Sequence, residues 1–234
     1  MTVSDLSLRC RLLFAALLLF CGTLPLRGQE EGGQAATWFL SAPDSLTPHF
    51  DARLKGLLLE QYTLRVTGRS AEPVRNLFGG ESSIESLSDT RLLIRIDDRS
   101  LFELKVIRTK KRREPVIGML YTHLESPAVS VFAFYSPASD WERIPTRSII
   151  DLPEPRDFLL TPDLMEDVEV KNALVERGLW LYSATFAEGD EETLRLTPTT
   201  FTEEIAQKQY PGMASKLRPS LLYEWNRSVF RRIN

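Results

Sequence analysis

Residues 91–107 read RLLIRIDDRSLFELKVI, and apolar side chains recur there at every second position: Leu92, Ile94 and Ile96, then Phe102, Leu104 and Val106. A period of two places these six on one face of extended chain, opposite Arg95, Asp97, Glu103 and Lys105. The polar DRS between the runs predicts a β-hairpin with one face buried and one largely wet. Two further apolar runs follow, PVIGMLYTHL over 115–124 and VSVFAFY over 129–135, separated by ESPA. Four consecutive strands with short connections predict a four-stranded antiparallel meander in the first half of the chain.

The apolar face of that sheet needs a cover. Thr47 followed by Pro48 reads as a helix start, since threonine can accept from an unpaired early amide and proline fits the first helical position. Phe50, Leu54, Leu57, Leu58 and Gln61 then keep helical spacing. The stretch APDSLTPHF also sets Asp44, Ser45 and His49 within six positions, the residue types of a hydrolytic triad. Triads draw their members from separate loops so that each can be aimed independently. Such close spacing fits a turn and a first helical turn instead.

Pro153, Pro155 and Pro162 in DLPEPRDFLLTPD, with four acidic residues, break both periodicities. Residues 151–163 are therefore a proline-rich crossover between a helix-plus-sheet unit (37–150) and a second unit (164–234), which could be continuous with the first. In the second unit DVEVKNALV, LWLYSATFA and ETLRLTP read as strands, with turns at Gly178 and EGDE. A helix is predicted over about 202–209, and SLLYEWNRSVF as one last strand. The predicted class is α+β, with helices packed on mainly antiparallel sheet.

Residues 1–28 read as an export signal: Arg9 and Arg11, an apolar stretch from Leu12 to Phe20, then Pro25 and Gly28 before the polar QEEGG. That stretch is too short to span a bilayer stably. Cys21 suggests a lipid anchor, but the bulky Phe20 before it argues against one. Residues 29–36 are expected to lack order. Both cysteines, Cys10 and Cys21, fall in the signal, so disulfides, thiolate metal sites and cysteine nucleophiles are excluded from the remaining 206 of 234 residues. Removing the signal takes three of 29 basic and one of 32 acidic side chains, leaving a net charge of −5. Neither this charge nor the exported location suggests a nucleic-acid partner.

Several segments, in their order and spacing, resemble one family: WFLSAPDSLTP (38–48), VRNLFGGES (74–82), SLFELKVI (100–107), VFAFYSPASDWERIP (131–145) and LLYEWNRSVF (221–230). It is an uncharacterised family of secreted Bacteroidales proteins known only as a domain of unknown function. The resemblance spans nearly all of the chain after the signal. It implies a bacterial source and an envelope or extracellular location, and brings no activity, cofactor or catalytic residue. Many relatives have a cysteine or two in the central sheet, where this chain has Tyr121, His123 and Ser126, so no thiol function is implied.

Local chemistry is sparse. His49 and His123 form no metal-ligand motif. Asp97 and Asp98 sit at a hairpin end, and Asp163, Glu166 and Asp167 follow the crossover; either group could supply paired acids, but each more simply makes turns. EGDEE (188–192) lacks a calcium-loop spacing. NLFGGES (76–82) lacks the lysine and spacing of a phosphate loop, so Gly79 and Gly80 read as a tight turn. Of Trp38, Trp141, Trp180 and Trp225, Trp141 is the candidate for exposure. RTKKRRE packs Arg108, Lys110, Lys111, Arg112 and Arg113 into six positions, a solvated hairpin tip or an anion-binding patch. No cofactor is implied. The reading is an exported, soluble, non-catalytic binding or envelope-accessory protein whose partner is an envelope protein or surface glycan; the alternative is a carboxylate-based envelope hydrolase acting on glycan or cell-wall material.

Overall fold

Seven strands in sequence order make the larger sheet of the computed structural model, which describes residues 33–108, 115–177, 180–188 and 192–233. They are β1 (Val74–Arg75), β2 (Glu81–Leu87), β3 (Arg91–Asp97), β4 (Ser100–Ile107), β5 (Val116–His123), β6 (Val129–Ser136) and β7 (Glu142–Ile144), each antiparallel to the next. The molecule is a mixture of helix and antiparallel sheet, as expected.

Alternation gives this sheet two apolar faces with different covers. Ile94, Phe102, Leu104, Val106, Ile117 and Met119 share a core with Phe39 of α1 (Gly33–Ser41), with Phe50, and with Leu54 and Leu58 of α2 (Ala52–Val66). The opposite face, with Ile107, Val116, Leu120, Phe132 and Phe134, packs on a second sheet. That sheet is ordered β11-β10-β9-β8, from β8 (Tyr182–Phe186), β9 (Thr193–Pro198), β10 (Leu221–Asn226) and β11 (Val229–Arg232). Ala184, Phe186, Leu194, Leu196, Leu221 and Phe230 fill the space between the sheets, joined by Val170 and Ala173 of α3 (Val168–Arg177) and Ala206 of α4 (Glu204–Gln209). Each fully buried Leu, Ile or Phe contributes about 1.5–3 kcal/mol, so these two cores are the main source of stability.

The interface between the sheets ends in charge. Arg91 Nε donates to Glu103 Oε1 at 2.5 Å, with both side chains buried. Glu103 also accepts from Thr185 Oγ1 (3.2 Å) and the Phe186 amide (3.1 Å), which ties β4 to β8.

Four local expectations need correction. The second helix begins at Ala52, not Pro48, because the Asp51 carboxylate accepts from the Leu54 amide at 2.8 Å. Thr47 is buried, and its hydroxyl donates to the Phe50 carbonyl. Residues 33–36 are helical, with Ala35 and Ala36 buried, where disorder was expected; residues 29–32 lie outside the described residues. DVEVKNALV is helix α3, because Asp167 Oδ1 accepts from the Glu169 and Val170 amides and Val170, Ala173 and Leu174 turn one helical face to the core. The C-terminal run is a hairpin, β10 and β11, reversing through Arg227, which adopts φ 61°. The signal, Gly178 and residues 189–191 lie outside the described residues.

Candidate functional site: an arginine-lined groove

The proline-rich crossover, which fits neither periodicity, builds one wall of a concavity. Leaving β7, the chain makes a 3-10 turn at Thr146–Ser148 and a single parallel bridge from Ile150 to Phe230, whose amide donates to the Ile149 carbonyl at 2.7 Å. Pro153 and Pro155 supply no N–H and so cannot extend that pairing along β11. The chain bends away and forms a second 3-10 turn, Pro155–Phe158, held by the Glu154 amide donating to Asp157 Oδ2 at 2.8 Å. Arg218 then clamps it, its amide on the Phe158 carbonyl (2.6 Å) and its Nε on the Leu159 carbonyl (2.9 Å).

Between the departing crossover and β11 a groove of about 620 Å³ remains. Four arginines, Arg147, Arg156, Arg231 and Arg232, and three carboxylates, Asp151, Glu154 and Asp157, line it. Two are held in place, Arg232 Nη1 on Asp157 Oδ1 (2.7 Å) and Arg156 Nε on Glu154 Oε2 (2.9 Å). Arg147 and Arg231 make no ion pair among the described residues. Burial would raise the Asp157 pKa, but the Arg232 guanidinium and the Glu154 amide outweigh it and hold the carboxyl below its usual range. Asp157 in turn raises Arg232. Tyr223 lines the groove as well, and burial pushes its phenol up to about 12. A second concavity of about 470 Å³ adjoins the first and shares Arg156, Asp157 and Arg232 with it.

Other residues singled out in the sequence lie elsewhere. The Arg108 guanidinium pairs with Asp89, and its amide donates to Glu192 Oε1 at 2.8 Å; Lys110, Lys111, Arg112 and Arg113 lie outside the described residues. Asp97 Oδ1 accepts from the Arg99 amide at 2.8 Å, the bond of a hairpin turn. Lys216 donates to Asp167 and, with the α3 amides, lowers its pKa. His123 pairs with Glu125 at 3.1 Å. His49 stacks its edge on Phe78 with ring centroids 5.0 Å apart, and burial lowers its pKa against the pull of Asp97. No group of three or more His, Cys, Asp or Glu side chains able to hold a metal occurs among the described residues. Trp141 is half-buried against Trp38, with centroids 6.0 Å apart.

The NLFGG turn is braced by Asn76. Asn76 is buried; its Oδ1 accepts from the Phe78 and Gly80 amides, and its Nδ2 donates to Ser82 Oγ and the Ile96 carbonyl. Gly79 adopts φ 86°, as a tight turn requires. Leu77 and Phe78 stand out from it, 55% and 72% exposed.

Sequence reasoning missed the groove because its arginines are spread from 147 to 232 and form no run. The usable signal was the crossover itself, where three prolines free the chain from regular pairing next to Arg147 and Arg156.

Fold and groove together define a helix-covered, two-sheet α+β protein with an arginine-lined cleft between its crossover and its C-terminal hairpin. The chain belongs to the family described as "Protein of unknown function (DUF3256)", whose model matches residues 29–230. It is similar in fold to a solved domain of an uncharacterized protein from Porphyromonas gingivalis W83, with a TM-score of 0.69 at 20% identity, over 86% of this chain and 98% of that one. No curated protein matches the chain. No helix among the described residues is long and apolar enough to cross a membrane.

Proposed function

We propose that the protein is exported and acts by binding, taking an anionic ligand in the groove between residues 147–157 and 229–232. One observation carries this reading: Arg147 and Arg231 line the groove without an ion-pair partner among the described residues, beside Arg156 and Arg232, which pair with Glu154 and Asp157. A guanidinium left unpaired in a concave site offers a planar, bidentate donor set suited to carboxylate or phosphate. Arg232, oriented by the partly buried Asp157, lowers the ordering cost of binding. Of the five acids weighed for a hydrolase, Asp97 is committed to a turn and Asp167 to a helix cap and Lys216. Export rests on the leader read in residues 1–28, and fractionation of expressing cells tests it.

Calorimetric titration of the protein with succinate and with inorganic phosphate at low ionic strength tests the binding reading. Saturable binding is expected, weakened about tenfold or more in R147A/R231A, since each charge-assisted bond contributes about 1.5–3 kcal/mol. Binding that is absent, or unchanged in the double variant, contradicts it.

A further inference from the structure

We infer that the anion bound in the groove carries an aliphatic tail: the ligand class is an acyl-chain anion, with a carboxylate or phosphate head at Arg147 and Arg231 and its tail in the adjoining concavity. This inference rests on the anion-binding reading above. The second concavity opens across the shared wall of Arg156, Asp157 and Arg232, and its remaining lining is apolar apart from Arg218: Leu159, Pro162, Met165 and Ile233. Ile233 is 56% exposed, uncovered apolar surface beside Arg232 and the arginine-lined half. Methionine in such a wall is unbranched and polarizable, and fits chains of variable shape.

The wall favours a hydrocarbon over a peptide. A peptide main chain needs hydrogen-bond partners wherever it is buried. Here the local main-chain donors are already used: the Leu159 amide on the Arg156 carbonyl, Leu160 on Lys216, Arg218 on Phe158 and Ile233 on Leu222. Pro162 has no amide hydrogen, and the Leu159 carbonyl already accepts from Arg218 Nε. An aliphatic tail needs none of these groups and gains by leaving water, roughly fourfold in affinity per buried methylene.

Calorimetry on the full chain with butanoate, octanoate, decanoate, decyl phosphate and decanol, each below its aggregation concentration, tests the inference. Affinity is expected to rise steeply from butanoate to decanoate, to be retained by decyl phosphate, and to be lost by decanol. I233S and M165Q should flatten the dependence on chain length, and R147A/R231A should weaken every anion. Equal affinities for butanoate and decanoate would overturn the tail assignment and leave anion binding intact. Equal binding of decanol and decanoate, or no binding by any probe, would overturn both. An acetylated Leu-Leu-Glu peptide that binds as tightly as decanoate would replace the acyl assignment with a peptide one.

Discussion

Gly118 on β5 faces Phe186 on β8 so closely that a Cβ at position 118 would stand 2.6 Å from the phenyl Cζ. The two sheets meet there without room for a methyl group, and Phe134 closes the other side at 3.4 Å. Gly118→Ala is therefore expected to destabilise the fold by about 1–3 kcal/mol, the usual cost of overpacking a core. Urea unfolding of the single variant and of Gly118→Ala/Phe186→Leu checks this. The second change should restore part of the loss if the ring is the obstacle.

Glu103 carries charge into the same interface. Burial raises its pKa above the usual 4.5, outweighing Arg91 and the bonds from Phe186 and Thr185. Between 4.5 and the raised folded value, the folded state holds this proton more tightly than the unfolded chain does. The contribution of Glu103 is thus fullest below pH 4.5 and is lost as pH rises through the folded value. Measured against Glu103→Gln, wild-type stability should decline over that rise. Glu103→Ala, which leaves Arg91 buried without its carboxylate, is expected to cost about 3 kcal/mol.

The NLFGG turn separates support from display. Asn76→Ala removes four hydrogen bonds from a buried side chain, leaves the Phe78 and Gly80 amides without their acceptor, and should cost about 2 kcal/mol or more. Phe78→Ser, at an exposed position, should change stability by no more than about 0.5 kcal/mol. Thermal melts of the two variants are enough to distinguish these outcomes.

Asp51→Ala should cost about 1 kcal/mol through loss of the α2 cap, with the loss confined to helix 52–66. Hydrogen exchange should show the Leu54 amide losing protection first.

Strands were legible where polar and apolar side chains alternate, although the face expected to be wet is buried along β4 under the second sheet. The alternation in 91–107 recurs in β3 and β4 because one face meets α1 and α2, and the polar positions fall toward the second sheet or solvent. Legibility failed where a neighbour distant in sequence decides. DVEVKNALV alternates well enough for a strand, yet Asp167 caps it and Val170, Ala173 and Leu174 meet a core assembled from both sheets. Thr47-Pro48 is a sound helix start in isolation, but Asp51 is the stronger acceptor and lies nearer the apolar stripe. The groove was the least legible feature. Arg147 and Arg231 are 84 residues apart, and the Ile150–Phe230 bridge and the Arg232–Asp157 pair bring their segments together.

Backbone-amide NMR during titration with succinate tests most directly whether the cleft between crossover and C-terminal hairpin is where this protein binds. Saturating shifts are expected to cluster at residues 147–157 and 229–232 and to vanish in R147A/R231A, while β3 and β4 stay still. Shifts spread evenly over the surface, or centred on the 76–80 turn, would contradict the assignment.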